Sequence, residues 1–168
     1  MSSIKLRKAS VIDLPFIFYL MYDGSIDGAF TGSFVSRHGS VYLFSYLIRS
    51  FIPFKSYLFK TLFIEEVFVY GDNQYDFGFI ITITEPQKNN EPKHITICAT
   101  AIKPQHRKKG LGKMMIKSFL ESLDPNTEVH AYCTKYSKVM QIIFRKLKFI
   151  RDTKRENQLE HFYIIIQN

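Results

Sequence analysis

The chain has no tryptophan, only two cysteines, and no uninterrupted apolar run long enough to cross a bilayer. Each shortage excludes something. Cys98 and Cys133 cannot build the disulfide framework of a small secreted domain, and their spacing is not that of a zinc site. A reducing compartment is the natural reading, and no metal is expected. Both cysteines stand in apolar, strand-like runs and read as buried small hydrophobes rather than nucleophiles. The most apolar region, residues 41–70, is broken by Arg49, Lys55, Lys60, Glu65 and Glu66 into pieces shorter than the roughly 20 residues of a spanning helix. The first seven residues lack the apolar stretch of a secretory signal. The expectation is a cytoplasmic protein without membrane contact. Internal repeats and low-complexity tracts are also missing.

What is present suits one globular domain spanning residues 1–168, with 46% hydrophobic and 23% charged residues. Aromatics are plentiful, at 16 Phe and 10 Tyr. The net charge of +8 is unevenly placed. Residues 101–155 hold 14 Lys and Arg against 4 Asp and Glu, whereas residues 1–100 hold 9 of each. A basic half of this kind suits a phosphate-bearing ligand. A nucleic-acid footprint is the competing reading of the same charge, and the less favoured one.

Periodicity and punctuation give the order β-α-α-β-β-β-α-β-α-β-β. Residues 4–7 alternate as a short strand. A helix begins at Ser10 or Asp13 and carries Phe16, Ile17, Leu20 and Met21 on one face. Residues 23–39 read as a glycine-rich loop and 41–51 as a second helix. Residues 61–70 and 74–84 form strands joined at Gly71-Asp72-Asn73, a hairpin signal. Residues 85–93 are a polar loop. A strand over 95–102 precedes Pro104, a basic turn and a helix over 110–123. A strand over 129–134, a helix over 137–147 and a terminal hairpin over 149–155 and 159–166 complete the chain.

The basic turn is the sharpest signal. Arg107-Lys108-Lys109-Gly110-Leu111-Gly112 lies between an apolar strand and an amphipathic helix. First-turn N–H groups of a helix lack internal partners, and the helix dipole is positive there. Glycine lets the backbone close around an anion, and the flanking cations add full charge. The spacing fits neither a dinucleotide fingerprint nor a Walker loop. A second element follows. Ser137 begins a helix whose Val139, Met140, Ile143, Phe144 and Leu147 share an apolar face, and Phe149 comes after it.

The strand, basic turn and Arg-x-x-Gly-x-Gly helix start resemble the acetyl-coenzyme A motif of the GNAT superfamily of N-acetyltransferases. The run from Ser137 to Phe149 is similar to that family's Asn-x-x-Ala-x-x-Leu-Tyr helix with its following Gly-Phe. The resemblance implies a mixed α/β fold, a central twisted sheet of about six or seven strands flanked by about four helices. It implies acetyl-coenzyme A and an amine as partners, in a monomer or homodimer. It places the pantetheine arm against the main chain of Thr100, Ala101 and Ile102, and the pyrophosphate over the segment Arg107, Lys108, Lys109, Gly110, Leu111, Gly112 and Lys113. Ser137 and Phe144 would also line the cofactor.

Two departures stand out. Phe144 replaces the tyrosine that protonates the departing thiolate in many members, and Lys148 replaces the usual helix-ending glycine. The family's strand carboxylate falls on Thr96. Tyr132, at a catalytic strand position in relatives, and Tyr136 are the candidate proton donors. Glu65, Glu66, His38 and His130 remain as candidate bases, beside a water relay. The aromatics Phe30, Phe34, Tyr42, Tyr46, Phe54, Tyr57 and Phe59 offer pocket walls, with core or a dimer seam as the reading for most of them. The lack of an acidic cluster argues against a polycationic acceptor. An acyl-coenzyme A binding module with little catalysis and an RNA-associated acetyltransferase are the alternatives.

Overall fold

The computed structural model describes residues 4–26, 64–86, 92–152 and 159–167. Within them run β1 (Lys5–Lys8), α1 (Leu14–Ile26), β2 (Ile64–Gly71), β3 (Asp76–Thr84), β4 (His94–Ile102), α2 (Leu111–Glu121), β5 (Glu128–Cys133), α3 (Lys138–Lys146), β6 (Ile150–Arg151) and β7 (Glu160–Ile165). Short 3-10 turns at Val11–Asp13 and Pro104–His106 precede α1 and α2. The expected helix over 41–51, His38, most of the 23–39 loop, and the aromatics from Phe30 to Phe59 lie outside the described residues. Residues 23–26 are helical rather than loop, because α1 continues to Ile26.

The seven strands of the described residues form one sheet in the order β1-β2-β3-β4-β5-β7-β6. The β4–β5 pair is parallel and the other pairs are antiparallel. Helix α1 covers one face, where Ile17, Leu20 and Met21 cluster with Val67, Val69, Phe79, Ile81 and Ala99. Helices α2 and α3 cover the other, where Met115, Phe119 and Phe144 join Tyr70, Ile80, Ile95, Ile97 and Phe162. Each fully buried Phe or Leu of this kind contributes about 1.5–3 kcal/mol.

Within β4, Ile97 packs under α2 and α3 while Ala99, two residues on, packs under α1. A regular strand would put both on one face. A bulge explains the switch: Thr82 pairs with Ile97 and Ile81 with Ala99, leaving Cys98 as the extra residue. Cys98 is therefore exposed, against the expectation of burial, whereas Cys133 is buried and burial pushes its thiol up to about 12.

Helix α3 ends in a Schellman arrangement. The Phe149 N–H donates to the Phe144 carbonyl at 3.0 Å and the Lys148 N–H to the Arg145 carbonyl at 3.0 Å. The two rings accompany this at 4.7 Å between centroids. Lys148 thus performs the glycine's role in a left-handed conformation, φ 65°. Lys148→Gly should relieve strain of about 1 kcal/mol and raise the melting temperature by a few degrees in a thermal melt.

Candidate functional site

The site begins where β4 and β5 stop pairing. Their parallel ladder has four rungs, from His94 opposite Glu128 to Ile97 opposite Ala131. Beyond these rungs, residues 99–102 of β4 remain paired to β3 on the other side. Their β5-facing backbone edge, which includes Thr100, Ala101 and Ile102, has no strand partner among the described residues. The bulge at Cys98 sits at the point of parting and bends β4 away.

At the end of this edge the chain turns through Pro104–His106 into α2. Arg107 ties the turn down. Its Nε donates to the Ile102 carbonyl at 2.9 Å, and a terminal nitrogen meets Asp23 of α1 at 2.8 Å. Its positioning contacts are therefore to protein, and Asp23 is a contributor that sequence reading missed. Lys108 and Lys109 are exposed beside it. Lys108 and Gly110 both take left-handed backbone, φ 63° and 80°. A Cβ on Gly110 would meet nothing within 4 Å, so conformation rather than crowding selects glycine there. Gly112 differs: a Cβ on it would lie 3.3 Å from Ile143 Cδ1 and 3.6 Å from Ile102 Cγ1. It allows α2 to start close against α3 and β4.

The first helical bond of α2 runs from the Met114 N–H to the Gly110 carbonyl at 3.1 Å. The N–H groups of Leu111, Gly112 and Lys113 thus stay outside the helical ladder. With the lysines around it, this end of α2 is the candidate anion cradle.

Across the parting stands α3. Ser137 occupies its N-cap position without capping it; the hydroxyl instead lies 3.0 Å from Thr134 Oγ1. Phe144 does not face the opening. It is 2% exposed, packed at 4.7 Å on Phe149 and 5.7 Å on Phe162. The expectation that its ring lines the cofactor is corrected here, since helix α3 turns this side chain into the core. Val139, expected on the same buried face, is exposed. Phe144→Tyr would therefore place a hydroxyl among rings. It should cost about 1–3 kcal/mol without raising turnover, readable from a melting curve and a rate assay on one protein sample.

Tyr132 and Tyr136 are open, at 42% and 64% exposure. Tyr136 has the Lys135 ammonium 5.0 Å from its ring centroid. Tyr132 stacks on His161 at 4.7 Å. Of the candidate bases, Glu66 is paired with Lys8 at 2.9 Å and Glu65 is half-buried in the sheet; Thr96, at the family's carboxylate position, is half-buried too and cannot act as a base. His130 belongs to a row of imidazoles that the sequence did not reveal. His94, His130 and His161, from three strands, lie side by side with ring centroids 5.6 and 5.2 Å apart. Burial holds the His130 imidazole below its ordinary pKa, assisted by the neighbouring histidines and opposed by Glu128.

The family model for the acetyltransferase (GNAT) family matches residues 44–149. No curated protein matches the sequence. Among solved structures, the chain is similar to a GNAT-family acetyltransferase from Streptococcus agalactiae, at 13% identity and TM-score 0.71 over 98% of this chain and 96% of that one. It is also similar to the spermidine N-acetyltransferase of Vibrio cholerae, solved with coenzyme A and spermine, at 17% identity and TM-score 0.62 over 97% and 95% of the two chains. A third likeness is to the ribosomal-protein-S18-alanine N-acetyltransferase of Escherichia coli, at 12% identity and TM-score 0.63 over 99% and 96%. At these identities the likeness concerns the fold. Among the described residues, no helix is long and apolar enough to cross a membrane.

Proposed function

This chain belongs to the acetyltransferase (GNAT) family, and from that premise we propose that it transfers an acetyl group from acetyl-coenzyme A to a primary amine. One observation carries the reading: the β4 edge left by the parting from β5 leads directly into the anion cradle at the start of α2. An elongated ligand with amides along one part and phosphates at its end fits that sequence of features. Bound acetyl-coenzyme A supplies an acetyl group activated as a thioester.

The chain's own groups then have distinct tasks. The main chain of Thr100, Ala101 and Ile102 pairs with the ligand's amides and fixes its depth. The N–H groups of Leu111, Gly112 and Lys113 receive phosphate oxygens, with Lys108 and Lys109 adding charge. Arg107 holds the turn in shape through Asp23 and the Ile102 carbonyl. Ser137 stands at the near end of α3, and Phe144 supports that helix from the core. Tyr132, exposed on β5 just past the last β4–β5 rung, is our choice for the group that gives a proton to the departing sulfur, with Tyr136 next to it in line. The acceptor amine loses its proton to solvent or through it. A cytoplasmic setting suits the two free thiols.

Stabilisation by acetyl-coenzyme A in a thermal melt, followed by thiol release across a panel of small amines, peptide N-termini and lysine peptides, tests the reading. Release with no amine in the panel, despite binding, would favour a binding module. Tyr132→Phe is expected to lower kcat about 100-fold with KM little changed. Loss in Tyr136→Phe alone would move the assignment to Tyr136, and unchanged rates in both would give the proton to solvent.

A further inference from the structure

The imidazole row has no task in the reaction above, and its geometry is specific. His94 Nδ1 and His130 Nε2 face each other at 3.4 Å. The Glu128 carboxylate closes the group with both of its oxygens, Oε2 at 3.6 Å from His94 Nδ1 and Oε1 at 3.4 Å from His130 Nε2. The 3.4 Å between the two imidazole nitrogens matches the edge of a coordination tetrahedron, about 3.4 Å when ligand bonds are 2.0–2.1 Å. All three groups are half-buried, and one ligand atom from each lies within 4.8 Å of the others.

Outside this group, a second layer orients it. His130 Nδ1 lies 2.9 Å from His161 Nε2, and His161 Nδ1 lies 3.4 Å from Asp152 Oδ2. If His161 donates from Nδ1 to the carboxylate, its Nε2 accepts from His130 Nδ1–H. That assignment leaves the His130 Nε2 lone pair directed into the group. Metal sites fix the tautomer and ring angle of a ligating histidine with an acceptor behind it, commonly a carboxylate; here Asp152 acts through His161.

We propose that His94, Glu128 and His130 bind a divalent transition-metal ion, zinc above all, with His161 and Asp152 as positioning residues behind His130. The nitrogen-rich donor set with one carboxylate suits zinc better than magnesium or calcium, which prefer oxygen. The ligands lie on two rungs of the β4–β5 ladder, His94 opposite Glu128 and Thr96 opposite His130. The ion thus stitches the two strands together at the root from which they part. Its role is to hold the opening, and three protein ligands leave the fourth position to water.

The spacing of 94, 128, 130 across two strands is invisible to a search for short metal motifs, which is why the sequence predicts no metal. The test uses the full chain after chelator dialysis, titrated with zinc in a thermal melt and with cobalt(II) as the spectroscopic probe. One equivalent of cobalt should bind with the intense visible absorption of a tetrahedral site. Zinc at a hundredfold over its Kd should raise the melting temperature by roughly 5–10 °C. His94→Gln, Glu128→Gln and His130→Gln should each weaken binding 100-fold or more, and His161→Ala about tenfold. His106→Ala, in the turn before α2, should bind normally. His94 is partly exposed, so its variant keeps the test valid if His130→Gln folds poorly. Absence of a tetrahedral spectrum, or equal binding by wild type and the His94 and Glu128 variants, would overturn the proposal. Acetyl-coenzyme A binding by the chelated protein is measured separately, so the family reading stands or falls independently.

Discussion

Gly110→Glu is expected to abolish stabilisation by acetyl-coenzyme A while leaving the domain folded. A side chain at this position would enter open space, since a Cβ placed there has nothing within 4 Å. The backbone there is left-handed, φ 80°, so any side chain costs about 1–2 kcal/mol. Lys108, two residues earlier, already bears such a conformation. A carboxylate at Gly110 would stand over the first-turn N–H groups of Leu111, Gly112 and Lys113, where the phosphates are proposed to lie. Repulsion between like charges about 4 Å apart is roughly 1–4 kcal/mol across surface dielectrics, enough to raise Kd about 5- to 1,000-fold. The effect should shrink with added salt. Gly110→Ala provides the control: it carries the strain without the charge and should retain most of the binding. Gly112→Glu is a poorer probe, because its side chain would press on Ile143 and disturb the contact of α2 with α3. Melting curves with and without acetyl-coenzyme A, at two salt concentrations, read all of these effects.

The second large effect concerns stability, and it centres on Asp13. This carboxylate is 5% exposed and closes the start of α1. Arg7 of β1 donates to both of its oxygens at 2.8 Å, and the Ser10 N–H and hydroxyl donate at 2.7 and 3.0 Å. Arg7 also reaches Asp76 of β3 at 3.0 Å, so the group joins the edge of the sheet to the first helix. Asp13→Ala removes a capping box and a two-pronged ion pair together. A loss of about 2–4 kcal/mol is expected, or roughly 5–15 °C in melting temperature.

The same carboxyl predicts a pH dependence. The Arg7 hydrogen bonds hold its pKa below the ordinary 3.8, with burial opposing and the Ser10 bonds assisting. A carboxyl depressed in the folded state contributes stability that is fully present above its unfolded value. That contribution is lost as pH falls below the unfolded value and through the folded one. The melting-temperature gap between wild type and Asp13→Asn should therefore be constant near neutrality and narrow below about pH 4. A gap that does not change with pH would mean that the pair contributes through packing alone.

How much of this could be read from the chain depended on where the information lay. The motif around Gly110 was legible because its demands fall on consecutive backbone: a left-handed glycine, N–H groups outside the helical ladder and adjacent cations. The element order was legible because strands and helices differ in period and because Pro104 and the Asp72 turn mark their ends. Phe144 was misplaced for a physical reason. Periodicity states which residues share a stripe, but an apolar ring serves a core and a ligand channel equally well. The bulge at Cys98 was illegible because a single extra residue in β4 reverses the inward and outward faces without changing composition. The pair of Arg107 with Asp23 and the row of His94, His130 and His161 join residues far apart in sequence. A trace of the row was available, since Glu128, His130 and Tyr132 alternate on one strand and His161 and Tyr163 on another. Only the register of β5 between β4 and β7 makes one surface of them.

Amide hydrogen exchange with and without acetyl-coenzyme A tests the central claim most directly, because the proposed site is built from main chain. The account predicts added protection in two separated segments at once: residues 98–102 of β4 and residues 108–113 at the start of α2. Amides on β1 and β2, at the other side of the sheet, should change little. Protection confined to the turn would leave the parted strands without a role, and no ligand-dependent protection in either segment would contradict the assignment.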